Sequence, residues 1–357
     1  MQKSFDDIAI RSVAAASGKK QHDVAALCSS FLDERHIARL IKTLGFKKVR
    51  EIPLSMTCAD MCVHIAADML KNEGISPDEI GVLIFVSQTN DTLAPATVFT
   101  MQHALGLSSD CYLNNLINGC AGSVHGIFEG CALIAAGVCD KALICFGDTY
   151  CKVHTLEEST QKANAALFGD GAGAVLLERK KGAPRLFFNL SSHGELSQVI
   201  CDHKFSERLE RLQTAVKEGV LAPEILAEFK DTGINIDGTA IASFAIDTVI
   251  PEIRSLMTAS GFADNDLSLY LLHQANKTVL KAVALNLGVP VEKIPFTSEN
   301  TGNTSSASLA LSLCESESVK QEIKKAPVVM SAFGVGMHAA SMLADLRDTH
   351  IYDAVYF

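Results

Sequence analysis

Several things are missing from this chain of 357 residues. It has no tryptophan, and aromatic residues make up only 6% of it. Basic residues are in the minority: Lys+Arg 31 against Asp+Glu 41 leaves a formal net charge of −10. That balance opposes nucleic acid and anionic membranes as partners, so an acidic partner would need a local basic patch. No apolar run reaches the roughly 20 residues of a spanning helix. The two most apolar stretches, Cys131–Phe146 and Val328–Leu343, are broken by Asp140 and Lys141 and by two glycines and His338. Met1–Asp7 lacks the apolar stretch of a secretory leader. With 11 cysteines, an odd number, the expectation is reduced thiols in a cytoplasm.

What is present is a large hydrophobic share, 48% against 20% charged. It is enough to bury a sizeable core in one large or two medium domains, and it excludes a disordered, collagen-like or disulfide-stapled chain. Short β-type runs alternate with longer helical ones. Val82–Val86 is unbroken apolar, as for a strand covered on both faces, and Ala142–Phe146 and Ala174–Glu178 read the same way. Thr57–Asn72 and Ala96–Leu105 have helical spacing. Later come a helix over Ile241–Ser260, a strand Leu269–Leu272, a helix Asn276–Leu287 and a strand Val328–Ala332. The pattern is α/β throughout with mixed connections. It predicts an N-terminal unit over 1–179, an insertion or linker over 180–232 with a charged helix around Phe205–Glu218, and a C-terminal unit over 233–357. The middle stretch is a candidate lid.

Four segments carry the candidate chemistry. Asn118-Gly119-Cys120-Ala121-Gly122-Ser123 joins a strand over Leu113–Ile117 to a helix over Val124–Ala136. A cysteine there sits at the positive end of a helix dipole, which favours a thiolate nucleophile. A buried structural cysteine is the other reading of Cys120 taken alone. Leu271-Leu272-His273-Gln274-Ala275-Asn276 delivers His273 at the end of an apolar strand, either as a reactive group or as a hydrogen-bonded core histidine. Asn300–Ser308 contains Asn303 and reads as either a functional loop or an Asn/Gly turn capping the helix Ala307–Leu313. Ala332-Phe333-Gly334-Val335-Gly336 is a glycine-rich turn able to expose a backbone N–H. Taken together they supply a nucleophile and two polar side chains able to hold an oxygen, which suits acyl transfer through a thioester.

Two other motifs are discounted. Gly169-Asp170-Gly171-Ala172-Gly173 runs into a strand-like segment, whereas a dinucleotide fingerprint opens a helix. Cys58-Ala59-Asp60-Met61-Cys62-Val63-His64 has helical periodicity and no second ligand group, which argues against zinc. His125, five residues beyond Cys120 on the same helix, is expected to point away from it.

These segments, with Leu167-Phe168-Gly169-Asp170-Gly171-Ala172-Gly173-Ala174, His273-Gln274-Ala275-Asn276 and Gly302-Asn303-Thr304-Ser305, resemble in order and spacing the thiolase-fold condensing enzymes, most of all the β-ketoacyl-acyl-carrier-protein synthase III group. The resemblance spans about Ile8 to Leu346. It implies a duplicated five-layer αβαβα fold with mixed sheets and a homodimer. It implies that Cys120 is acylated by an acyl-coenzyme A or acyl-carrier-protein thioester. His273 and Asn303 would hold a malonyl-type thioester for decarboxylation, and the enolate would attack acyl-Cys120. The N–H groups of Cys120 and Val335 would form the oxyanion hole beside Phe333 and Gly336, with no metal or redox cofactor required.

Departures from the family pattern bear on specificity. Arg39–Phe46 lacks the tryptophan of coenzyme A users, and Thr43 stands near where an arginine is expected. Ala94 replaces the aromatic that often precedes the proline matching Pro95 and helps shape the acyl pocket across the dimer, leaving room for a larger or branched acyl group. Thr278 replaces a common arginine, with Lys277 and Lys281 nearby as a candidate carrier-protein patch. The alternatives are an acyltransferase that passes the acyl group from Cys120 to an alcohol or amine, and a non-catalytic partner subunit.

Overall fold

The computed structural model describes residues 1–92, 94–151, 166–201, 217 and 235–357. Two mixed sheets organise them. The first runs, in spatial order, through the strands His350–Ile351, Ile8–Ser17, Gly171–Arg179, Lys141–Asp148, Val82–Val86 and Tyr112–Leu116, with Val355–Tyr356 also on Ile8–Ser17. The second runs Gln2–Phe5, Leu186–Ser192, His338–Ala344, Val328–Gly334 and Leu269–Leu272. Val82–Val86 is parallel to both of its neighbours, and Leu269–Leu272 is parallel to Val328–Gly334; the remaining principal pairs are antiparallel.

Side-chain alternation sets the layers, because successive residues of a strand face opposite sides. Val82, Ile84 and Val86 join a core shared with Val124, Ile127 and Leu309 of the helices Gly122–Ala135 and Ser308–Glu315. That core also takes in Leu269, Leu271 and Val328 of the second sheet, so these two helices lie between the sheets. Leu83 and Phe85 point the other way, onto Met61, Ile65 and Met69 of the helix Cys58–Glu73. Tyr270 and Leu272 face Ile253, Leu256 and Val283 of the helices Ile250–Ser260 and Lys277–Leu287. The result is helix, sheet, helix, sheet, helix. Each fully buried large apolar side chain, such as Phe85 or Phe146, contributes roughly 2–3 kcal/mol of transfer free energy.

Local signals fix the ends. Thr57 Oγ1 accepts the Asp60 N–H at 3.1 Å and Asp60 accepts the Thr57 N–H at 2.8 Å, a reciprocal cap that starts the Cys58–Glu73 helix. Cys58 and Cys62 lie wholly inside this helix's buried face, as its periodicity predicts. The expected helix over Ile241–Ser260 is less regular. It starts at Gly238 and passes through a π-helical turn, Ala245–Val249, before Ile250–Ser260. Pro251 has no N–H to give to the preceding turn, and a wider turn accommodates that loss.

Both chain ends cross between the sheets. Gln2–Phe5 pairs with Leu186–Ser192 in the second sheet, while His350–Ile351 returns to the first. Leu186–Ser192 lies inside the 180–232 stretch, so an interior strand of the second sheet falls within the segment read as an insertion. It is paired on both sides and contributes Leu186, Phe188 and Leu190 to the core. The charged helix expected around Phe205–Glu218 and the end of that stretch lie outside the described residues, save Lys217. No helix among the described residues is long and apolar enough to cross a membrane.

Candidate active site

Cys120 follows the edge strand Tyr112–Leu116 and is separated from the helix Gly122–Ala135 by one residue, the helix cap Ala121. Gly122 allows that helix to press on the first sheet, since a Cβ there would sit 2.3 Å from Val86 Cγ1. The second half supplies the facing groups. His273 leaves the end of Leu269–Leu272, its N–H donating to the Ser331 carbonyl at 2.8 Å, and is buried. The loop Thr301–Ser308 is buried along its whole length, unlike an ordinary surface turn. Asn303 donates its N–H to the Leu167 carbonyl at 2.8 Å and accepts the Gly169 N–H at 3.0 Å, which ties the asparagine loop to the first half. The hairpin after Val328–Gly334 brings Gly334 against Cys120: a Cβ on it would meet Cys120 Cβ at 3.0 Å and Sγ at 3.2 Å. Cys120, His273, Asn303, Phe333 and Val335 line one mainly apolar cavity of about 180 Å³. A larger polar cavity of about 480 Å³, lined by Arg11, Glu73, Glu178 and Arg347 among others, shares no residue with it.

The electrostatics of this cavity bear on the expected thiolate. Cys120 is half-buried and lines the cavity, and desolvation pushes its thiol up to about 12. The Ser305 hydroxyl, 3.8 Å from Sγ, pulls the other way and the Asp148 charge adds to the rise. Burial thus opposes the pull that a helix start exerts toward the thiolate. Burial likewise pushes His273 down to about 3, leaving a neutral imidazole whose Nδ1 lies 2.8 Å from Ser308 Oγ. Asp148 is wholly buried, and desolvation raises it to about 6 against the pull of Ser305, Gln88 and Ser87. Its Oδ1 accepts the Gln88 N–H at 2.7 Å, while Oδ2 is buried without a hydrogen-bond partner among the described residues. Ser305 stands in the left-handed region with φ 51° and donates its N–H to Asn303 Oδ1 at 2.9 Å. That bond leaves the Asn303 NH₂ as the amide's available donor.

Residues 115–194 match the family model for 3-oxoacyl-[acyl-carrier-protein] synthase III, and residues 257–346 match the model of its C-terminal part. The β-ketoacyl-[acyl-carrier-protein] synthase III of Streptococcus gordonii is 30% identical over 306 residues, 85% of this chain and 88% of its own length. The chain belongs to the β-ketoacyl-[acyl-carrier-protein] synthase III family. It is therefore an acyltransferase of that family. The synthase III of Lactococcus lactis is 27% identical over 312 residues, covering 84% of this chain and 88% of its own. The crystal structure of a 3-oxoacyl-(acyl-carrier protein) synthase from Burkholderia xenovorans superposes with a TM-score of 0.87 at 25% identity, over 100% of this chain and 99% of that one. The fold is thiolase-like α/β with mixed sheets.

Against this synthase III framework, the other residues singled out in the sequence fall in different places. Gly336 is absent from the cavity wall and packs on His338, whose Nδ1 donates to the Val335 carbonyl. His125 also turns to His338, ring centroids 5.8 Å apart, rather than to Cys120. Ala94 is exposed and takes no part in the cavity of the single chain. Lys277 is half-buried with its ammonium 5.7 Å from the Phe296 ring centroid, while Lys281 is exposed. The Gly169–Gly173 run leads into the strand Gly171–Arg179, as its composition predicts. Sequence reasoning missed Gln88, Asp148, Tyr150, Ser305 and His338. A signal existed for the first two: Ser87-Gln88-Thr89 and Asp148 are polar residues at the carboxyl ends of adjacent parallel strands, where α/β folds place ligands.

Proposed function

We propose that this protein makes a carbon–carbon bond in two stages, acyl transfer to Cys120 and decarboxylative condensation with a malonyl thioester. In the first stage Sγ bonds to the acyl carbon, the donor's C–S bond breaks, and the donor thiol leaves carrying the proton Cys120 gave up. The N–H groups of Cys120 and Val335 hold the oxyanion of this step. In the second stage the malonyl carboxylate departs as carbon dioxide and its electron pair forms an enolate. Neutral His273, with Nδ1 accepting the Ser308 hydroxyl, donates from Nε2, and Asn303 donates from its NH₂. Both donors meet the enolate oxygen. The enolate carbon then attacks the acyl-Cys120 carbonyl and the Cys120 thiolate leaves, giving a β-ketoacyl thioester.

The observation that carries this reading is the convergence of two neutral donors from one half on a thiol from the other, inside one apolar cavity. An imidazolium would stabilise the malonyl carboxylate in the ground state; a neutral imidazole does not, so its donor serves the charge that develops during the reaction. The substrates are coenzyme A or acyl-carrier-protein thioesters, with Lys281 and Lys277 beside the entrance as the docking patch for an acidic carrier. Two copies form the working unit, and Ala94 reaches the partner's acyl pocket. Intact-protein mass spectrometry after incubation with a panel of acyl thioesters tests the first stage. A single acyl adduct on the native enzyme, absent from Cys120→Ala, supports the reading; no adduct with any donor refutes the acyl-enzyme route.

A further inference from the structure

Close to Cys120 the otherwise apolar cavity contains a polar pair that the two-stage chemistry does not use. Tyr150 donates its hydroxyl to Gln88 Oε1 at 2.7 Å, and both residues line the cavity. Gln88 sits against the nucleophile loop, for a Cβ on Gly119 would meet its Oε1 at 2.8 Å and Val335 Cγ2 at 3.0 Å. With Oε1 occupied, the Gln88 amide presents its NH₂, which has no hydrogen-bond partner among the described residues. Gln88 is half-buried and lines the cavity. Tyr150 is buried and its ring packs on Phe168, centroids 4.8 Å apart and planes tilted by 37°, which holds the direction of its hydroxyl and hence of the amide.

Taking Cys120 to be the acylated residue, we propose that Gln88, oriented by Tyr150, is a specificity residue for an acyl group bearing a neutral hydrogen-bond acceptor, a hydroxyl or keto oxygen, rather than a plain alkyl chain. An alkyl chain would cover the NH₂ and leave it unpaired. Sites built to hydrogen-bond a substrate discriminate against the analogue lacking that group for this reason. Charge selects a neutral oxygen over a carboxylate. Among the described residues the cavity lining contains no lysine or arginine, and the buried Asp148 carboxyl lies next to it, accepting the Gln88 N–H at 2.7 Å. A dicarboxylic acyl group would bring a second negative charge into that field without a partner.

The test compares kcat/KM for acylation of Cys120, followed by intact mass, with four coenzyme A thioesters: butyryl, 3-hydroxybutyryl, acetoacetyl and succinyl. On the native enzyme at least one of the two neutral oxygenated groups should exceed butyryl by about tenfold, with succinyl slowest. Gln88→Met keeps the length and removes the hydrogen bond, and should bring the ratio to one or below. Tyr150→Phe, which frees the amide to rotate, should lower the ratio partway and gives an independent reading if Gln88→Met folds poorly. Butyryl equal to or faster than both oxygenated groups overturns the proposal while leaving the acyl-enzyme reading intact. So does a ratio unchanged in both variants, or succinyl fastest of the four. A native enzyme labelled by none of the four overturns this proposal, and the acyl-enzyme reading falls with it if the same acyl groups on acyl-carrier protein also give no adduct.

Discussion

Ser305 offers a way to separate thiol reactivity from stability. Its backbone is left-handed, φ 51°, which costs a non-glycine residue about 1–2 kcal/mol. Ser305→Gly removes that strain and adds back about 0.5–1 kcal/mol of chain entropy, so the fold should be unchanged or up to about 1 kcal/mol more stable. The same change deletes the hydroxyl that lies 3.8 Å from Cys120 Sγ and favours its thiolate. A hydrogen bond to a charged group is worth about 1.5–3 kcal/mol at good geometry; at this longer distance about 1.4 kcal/mol is reasonable, which raises the thiol by about one pKa unit. The thiolate fraction then falls about tenfold at any pH below both values. The more basic thiolate is also the better nucleophile, with a Brønsted slope near 0.4–0.5, so the observed rate falls only about threefold. Iodoacetamide alkylation of Cys120 between pH 7 and 9, read by intact mass, measures the rate, and urea melting of the same samples measures stability. A variant destabilised by more than about 1 kcal/mol that alkylates at the native rate would refute the reasoning on both counts.

Three further outcomes follow from the geometry. Asp148 has its folded value raised to about 6 from an ordinary 3.8, so the native state binds the extra proton and stability falls as pH rises from about 4 to 6. Asp148→Asn, whose Oδ1 still accepts the Gln88 N–H, should flatten that part of the stability–pH curve by up to about 3 kcal/mol, measured by urea midpoints; an unchanged slope contradicts it. A Cβ on residue 169 would sit 2.0 Å from the Thr301 carbonyl oxygen, so Gly169→Ala should cost roughly 2–3 kcal/mol by thermal melting, because backbone rather than a flexible side chain must move. His338 anchors the hairpin tip through the Val335 carbonyl, so His338→Leu should slow Cys120 acylation about tenfold while His338→Asn, which keeps a donor there, recovers most of it.

Much of this was legible in the sequence because it depends on local pattern. Val82–Val86 shows as an unbroken apolar run, and Thr57 with Asp60 announces a helix start whatever surrounds it. Cys120, His273 and Asn303 each sit in a short segment where strand, loop and helix meet, and the structure brings all three to one cavity. The rest is tertiary. Nothing near Ser305 in the chain reveals that its hydroxyl meets a thiol 185 residues away. Gln88 and Tyr150 come together only because two strands run parallel and end at the same level. At the thiol, a helix dipole can be read from sequence, whereas the burial that opposes it cannot. Leu186–Ser192 shows the converse case: it lies in the stretch read as an insertion, and only its pairing with Gln2–Phe5 and His338–Ala344 identifies its sheet.

The most direct test of the central claim begins with enzyme already acylated at Cys120, given malonyl-acyl-carrier protein. Carbon dioxide release and product mass are then followed together. Condensation predicts one carbon dioxide for each acyl group lost from Cys120 and a β-ketoacyl thioester as product, with neither signal from Cys120→Ala. Loss of the acyl group to an alcohol or amine without carbon dioxide release, or the same product from Cys120→Ala, would contradict it.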